Sequence, residues 1–76
     1  MSFPNRATIE CLREMYTKGT RVELVKMDDP YTKLRPGDKG TVNYVDDVGG
    51  IHINWDSGST LAAVWGEDKI KLITED

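Results

Sequence analysis

The sequence predicts a mainly β domain in which one short N-terminal helix precedes five short strands bent into a small barrel. Three observations carry that expectation. Apolar residues recur at helical spacing between Pro4 and Tyr16, and from Gly19 onward they recur at every second position in short runs. The runs are joined by short, Gly-containing connections, with one long loop after the first.

The helical stretch places Ile9, Leu12, Met15 and Tyr16 at i, i+3, i+6 and i+7, with Arg6, Glu10, Arg13 and Glu14 on the other sides. Asn5 or Thr8 can serve as N-cap, and Gly19 after Lys18 is a fitting stop. A helix of about three turns is marginal alone in water, so its apolar stripe is expected to pack on the sheet. The division is residues 1–18 for the helix and 19–76 for the barrel, within one domain. Cys11 is placed near the apolar side, as a small packed residue.

The first strand is expected over Thr20 to Met27, with Val22 and Leu24 inward. Thr41 to Val45 puts Val42 and Tyr44 on one face, and Ile51, Ile53 and Trp55 alternate with His52 and Asn54. Asp46-Asp47-Val48-Gly49-Gly50 and Asp56-Ser57-Gly58-Ser59 then make the second, third and fourth strands a meander of hairpins. A fourth run, Thr60 to Val64, and a fifth, Lys69 to Ile73 with Ile70 and Leu72 inward, complete the barrel. Trp55, continuing the Ile51–Ile53 face, is expected in the core.

The long loop runs from Asp28 to Asp38. Pro30 and Pro36 interrupt any ladder, Pro36-Gly37 marks a turn, and Tyr31 and Leu34 are available as anchors. Gly40 stands at the entry to the next strand. On so small a body a loop of this length is a candidate functional feature.

With 76 residues, 38% of them apolar, the chain supports one small core. One Cys and one His exclude an internal disulfide and argue against a metal site, and no cofactor is expected. Asp28-Asp29 and Asp46-Asp47 lack the ligand spacing of a calcium loop and read as turn formers. The longest apolar run, Leu61 to Trp65, is far too short to cross a bilayer, so no membrane partner and a cytoplasmic location are expected. The net charge of −3 is unevenly spread: +2 over residues 1–26, −2 over 27–50 and −3 over 51–76.

The segments GTRVELVKMDDPYTKLRPGDKGTV, VDD, GGIHINWDSGS and GEDKIKL resemble a bacterial family known as domain of unknown function 4314. The resemblance spans nearly the whole chain and implies an SH3-like barrel, found often among genes of phages and conjugative elements, with no activity attached. Trp65 stands where the family pattern has a Pro or small residue ahead of Gly-x-Asp. The framework Gly19-Thr20-Arg21-Val22 with Gly37-Asp38-Lys39-Gly40-Thr41-Val42 is also similar to the KOW motif, which implies RNA or protein contacts and tight packing at Gly40, where the strand starts. The WDSGS turn with GEDKIKL is similar to the SH3-like domain of Mind bomb ubiquitin ligases, which implies peptide binding.

An enzyme needs titratable groups brought together, and the supply here is thin, so no catalytic residue is expected. His52 reads as a surface or sheet-bonded imidazole. Small barrels bind nucleic acid through a basic face, for which Arg21, Lys26 and Lys33 are the candidates, but interleaved acidic residues oppose phosphate. A protein or peptide partner fits better. SH3-like barrels place a groove between the long loop and the third–fourth strand hairpin, and there Asp28, Asp29, Tyr31 and Asp56 are the expected contacts, with Trp65 as an exposed aromatic anchor.

Overall fold

The computed structural model describes residues 4–27 and 31–73. They form one helix, α1 (Arg6–Met15), and five strands: β1 (Arg21–Lys26), β2 (Lys39–Val45), β3 (Gly50–Trp55), β4 (Ala63–Val64) and β5 (Lys69–Leu72). All pairings are antiparallel, in one sheet ordered β4-β3-β2-β1-β5. The sheet is open: β4 and β5 are its two edges, and they touch without forming a ladder.

Asn5 is the N-cap of α1, its Oδ1 accepting from the Thr8 amide at 2.8 Å. The Tyr16 amide closes the last turn on Leu12 O at 2.8 Å, and Gly19, at φ +93°, turns the chain into β1. Ile9 and Leu12 are buried against the sheet and Tyr16 packs at the margin, as the spacing predicts. Cys11 is exposed, which corrects its expected place in the packing. At 3.6 residues per turn it lies about 200° round the helix from Ile9. Met15, about 120° off by the same geometry, is exposed as well.

The core is built from Val22 and Leu24 of β1, Val42 and Val45 of β2, Ile51, Ile53 and Trp55 of β3, and Ala63 of β4, closed by Ile9, Leu12 and the loop residue Leu34. Leu34 is the anchor of the long loop, whereas Tyr31 is 93% exposed. Trp55 is in the core, and its indole Nε1 donates to Leu61 O at 2.8 Å. That bond holds residues 60–62 as a connection, which leaves β4 shorter than the expected Thr60–Val64 run.

Two register shifts reshape the faces. The β2–β3 ladder pairs Val42 with Ile53 but Tyr44 with His52, so β2 carries one extra residue, a bulge. The bulge turns Tyr44 outward beside His52, against the expectation that it would share the Val42 face, and returns Val45 to the core opposite Ile51. A second shift, between Leu24 and Lys26, makes Val25 the extra residue of β1, and Val25 is exposed. Ile70 packs on the core as expected. Leu72 stays half exposed, because it ends an edge strand. Gly40, opposite Trp55 in the register, is a close approach: a Cβ there would lie 3.0 Å from Asn54 O and from Trp55 Cα.

Candidate functional site

The β2–β3 turn ties the molecule together. Asp46 accepts from the Val48 amide at 3.0 Å and the Gly50 amide at 2.7 Å through Oδ1, and from His52 Nε2 at 2.8 Å through Oδ2. Burial alone would push this carboxyl up, but the hydrogen bonds outweigh it and hold Asp46 below its ordinary value of 3.8. The His52 ring stacks on Tyr44 with centroids 4.3 Å apart, so it is a sheet-bonded imidazole. Beside it Asp47 takes Arg13 Nη2 at 2.6 Å, while Arg13 Nε donates to Val45 O at 3.3 Å, fastening α1 to the sheet. The Trp65 amide donates to Gly49 O at 3.0 Å and fixes the end of β4 to the same turn.

Arg21, expected as a nucleic-acid contact, and Asp56, expected as a peptide contact, face each other. Arg21 Nη1 and Nη2 lie 2.8 and 2.6 Å from the two Asp56 oxygens, and Nη1 also donates to Thr41 at 3.0 Å. The guanidinium hydrogen bonds hold the Asp56 carboxyl below the usual carboxylate range. Each neutralises the other, so neither presents a full charge to a partner.

The groove expected between loop and hairpin is present, with a volume of about 520 Å³. Tyr31, Lys33 and Leu34 line one side, and Ser57, Ser59 and Leu61 the other. Asp28 and Asp29 lie outside the described residues. Trp65 is elsewhere: it borders a second cleft of about 390 Å³ at the open seam of the sheet, between β4 and β5. Its walls include Tyr16, Val25, Val64 and Ile70. Burial beside this cleft raises the Tyr16 phenol above its ordinary value. The two aromatic rings expected in one groove therefore belong to two.

Residues 5–73 match the family described as Domain of unknown function (DUF4314). The chain belongs to this family. None of the curated proteins and none of the solved structures matches it.

The DUF4314 match takes in the helix, all five strands and both clefts. Within this member, Trp65 is 45% exposed and precedes a tight turn, where Gly66 has φ +89° and Asp68 Oδ2 accepts from the Val64 amide at 2.9 Å. The turn holds the ring's backbone rigidly at the rim. Sequence reasoning named Trp65 but missed Tyr16, Val25 and Ile70 around it. Val25 reaches the cleft only through the β1 bulge, for which the residue pattern has no marker; Tyr16 and Ile70 carried a signal in their periodicity, but only for core. Lys26 stands opposite Lys69 at the end of the β1–β5 ladder, away from the Arg21–Asp56 pair in the register. Among the described residues no group of three or more His, Cys, Asp or Glu side chains could hold a metal ion, and no helix is long and apolar enough to cross a membrane.

Proposed function

We propose that this DUF4314 member is a non-enzymatic module of a bacterial phage or conjugative element, built as an SH3-like barrel, that binds a peptide segment of another protein. What supports the reading is the seam cleft. A half-exposed Trp stands on a rigid turn over an apolar floor, and Trp on such a rim is the residue type most enriched among binding hot spots. A volume of about 390 Å³ suits one or two large apolar side chains of a ligand. The contact between β4 and β5 supports the barrel reading, with the cleft as its unsealed seam.

The test is a pull-down from the host bacterium, followed by chemical-shift mapping of the captured partner on the labelled domain. Shifts clustered on Val25, Val64, Trp65 and Ile70 are expected, with Trp65→Ala weakening the complex. Shifts confined to lysines and arginines, with a steep loss of affinity as salt rises, would transfer the domain to the nucleic-acid binders.

A further inference from the structure

We infer that the free edge of β5 is a docking edge, on which the peptide partner adds as an antiparallel strand that alternates apolar and acidic residues. This mode of holding the peptide rests on the peptide-binding reading of the seam cleft. The register decides which backbone groups are free. Ile73 N donates to Arg21 O at 3.0 Å, and Lys71 stands opposite Glu23, so these positions of β5 bond to β1. On β1 the alternate positions are turned to the other side, with Leu24 N donating to Asp38 O at 2.7 Å. Ile70 and Leu72 therefore point their N–H and C=O groups away from β1, and among the described residues no bond outside the ladder reaches them. The other edge of the sheet is closed. Val64 N donates to Asp68 Oδ2 at 2.9 Å, and Val64 O accepts from the Glu67 and Asp68 amides at 3.1 and 2.9 Å, so the turn over 65–68 uses the outward groups of β4.

Side chains on β5 choose the occupant. Ile70 packs on the core and lines the seam cleft, and Leu72 on the same face is half exposed, so apolar residues of an added strand meet them there. Lys69 and Lys71 are exposed on the opposite face. Lys71 holds Glu23 at 3.4 Å, whereas Lys69 stands opposite Lys26 and has no carboxylate partner among the described residues. Glu67 and Asp68 precede it in the turn, where Asp68 is engaged with the Val64 amide. A carboxylate directly opposite Lys69 on the added strand supplies that partner, and a lysine there would add a like charge. The same parity disfavours a second copy of this chain: the antiparallel pairing that uses Ile70 and Leu72 of both copies sets Lys71 opposite Lys71. Backbone bonds carry the affinity and these contacts the selection, so no net positive charge is asked of the edge.

The experiment is fluorescence anisotropy of the whole chain with a capped, fluorescein-labelled Glu-Val-Glu-Val-Glu-Val peptide. It is run beside Lys-Val-Lys-Val-Lys-Val and beside two forms of the first peptide, N-methylated on every valine or on every glutamate. In the antiparallel register the valines opposite Ile70 and Leu72 exchange the backbone bonds, and the glutamate amides point away. Binding of the parent and glutamate-methylated peptides is expected, with loss in the valine-methylated and lysine peptides. On the protein side, Leu72→Pro removes one outward N–H and no bond to β1, so it should weaken binding about tenfold with a melt within a few degrees of the parent. Lys69→Glu should weaken it about threefold. No binding of the glutamate–valine peptide, equal binding of its two methylated forms, or binding that Leu72→Pro leaves unchanged would each overturn strand addition. A dimer of the chain alone that Leu72→Pro dissociates would give the edge to a second copy and overturn the choice of occupant. The methylated peptides need no variant, so they decide the matter even where Leu72→Pro lowers the melt. Strand addition can fail while the seam cleft stands: a captured partner whose affinity falls in Trp65→Ala but not in Leu72→Pro separates the two.

Discussion

Arg21 and Asp56, 35 residues apart in the chain, close a two-pronged ion pair that bridges the start of β1 and the end of β3 across β2. The expected signature is in the titration of Asp56. Followed by carboxyl NMR, its midpoint falls below the ordinary 3.8, and in Arg21→Ala it returns to that range. A carboxyl depressed by folding contributes stability that is present above its unfolded value and lost as pH falls through the folded one. The Arg21→Ala variant should therefore lose less stability between pH 5 and about pH 3 than the parent does. An unchanged Asp56 midpoint in the variant would show the pair to be absent in solution.

Asp46 is the more demanding residue, because three donors depend on it. Asp46→Ala leaves the Val48 and Gly50 amides and the His52 ring without their acceptor, and a loss of about 2 kcal/mol is expected from chemical denaturation. Asp46→Asn can still accept one or two of those bonds and should fall between parent and Ala. Its carboxyl is also held below 3.8, so the same sign applies: the stabilisation is complete above about pH 5 and declines as pH falls below the ordinary value. The Tyr44–His52 stack offers a local probe, since the His52 ring protons should lose their ring-current shift in Asp46→Ala.

Much of this architecture is legible in the residue pattern, and the exceptions share a cause. Helix α1, the strand sequence and Trp55 as core follow from periodicity and residue type, and Gly40 as a close approach from the KOW-like framework. Tyr44 does not, because a single bulge residue inverts every later face of β2, and bulges leave no mark in an alternation only five residues long. Tyr31 and Trp65 are each exposed, but whether two exposed rings share a groove depends on the path of the chain between β3 and β4, to which the Trp55–Leu61 hydrogen bond contributes. The pairing of Arg21 with Asp56 is likewise a property of register: no local feature of either segment identifies its partner.

Gly40 tests how tightly the centre of the sheet is closed. A methyl group there would meet backbone at 3.0 Å on two sides and Ile53 Cγ2 at 2.5 Å, and backbone gives way less easily than a side-chain tip. Gly40→Ala is expected to cost about 2–3 kcal/mol, read as a lower thermal midpoint with the sheet signal retained below it. Gly58, whose added Cβ meets nothing within 4 Å, is the comparison that isolates the effect of crowding from that of backbone strain, since its φ is +99°. A larger loss at Gly58 than at Gly40 would show that the β2–β3 contact relaxes readily.

The two tryptophans should separate folding from binding. Trp55 is 3% exposed, opposes Gly40 and holds the β3–β4 connection through Leu61 O, so Trp55→Ala removes both a core volume and a partly buried hydrogen bond. A loss of about 3–5 kcal/mol is expected, enough to unfold much of a chain this small at room temperature. Trp65 is 45% exposed, and its backbone is fixed by the Gly49 and Asp68 contacts around it rather than by its ring. Trp65→Ala should therefore melt within a few degrees of the parent while weakening a captured peptide partner by about 2 kcal/mol. Intrinsic fluorescence assigns the two rings directly: in the folded chain acrylamide should quench Trp65 emission strongly and Trp55 emission hardly at all, and partner binding should protect only the former. If Trp65→Ala unfolds the chain, the ring belongs to the core and the seam cleft is a packing defect rather than a site.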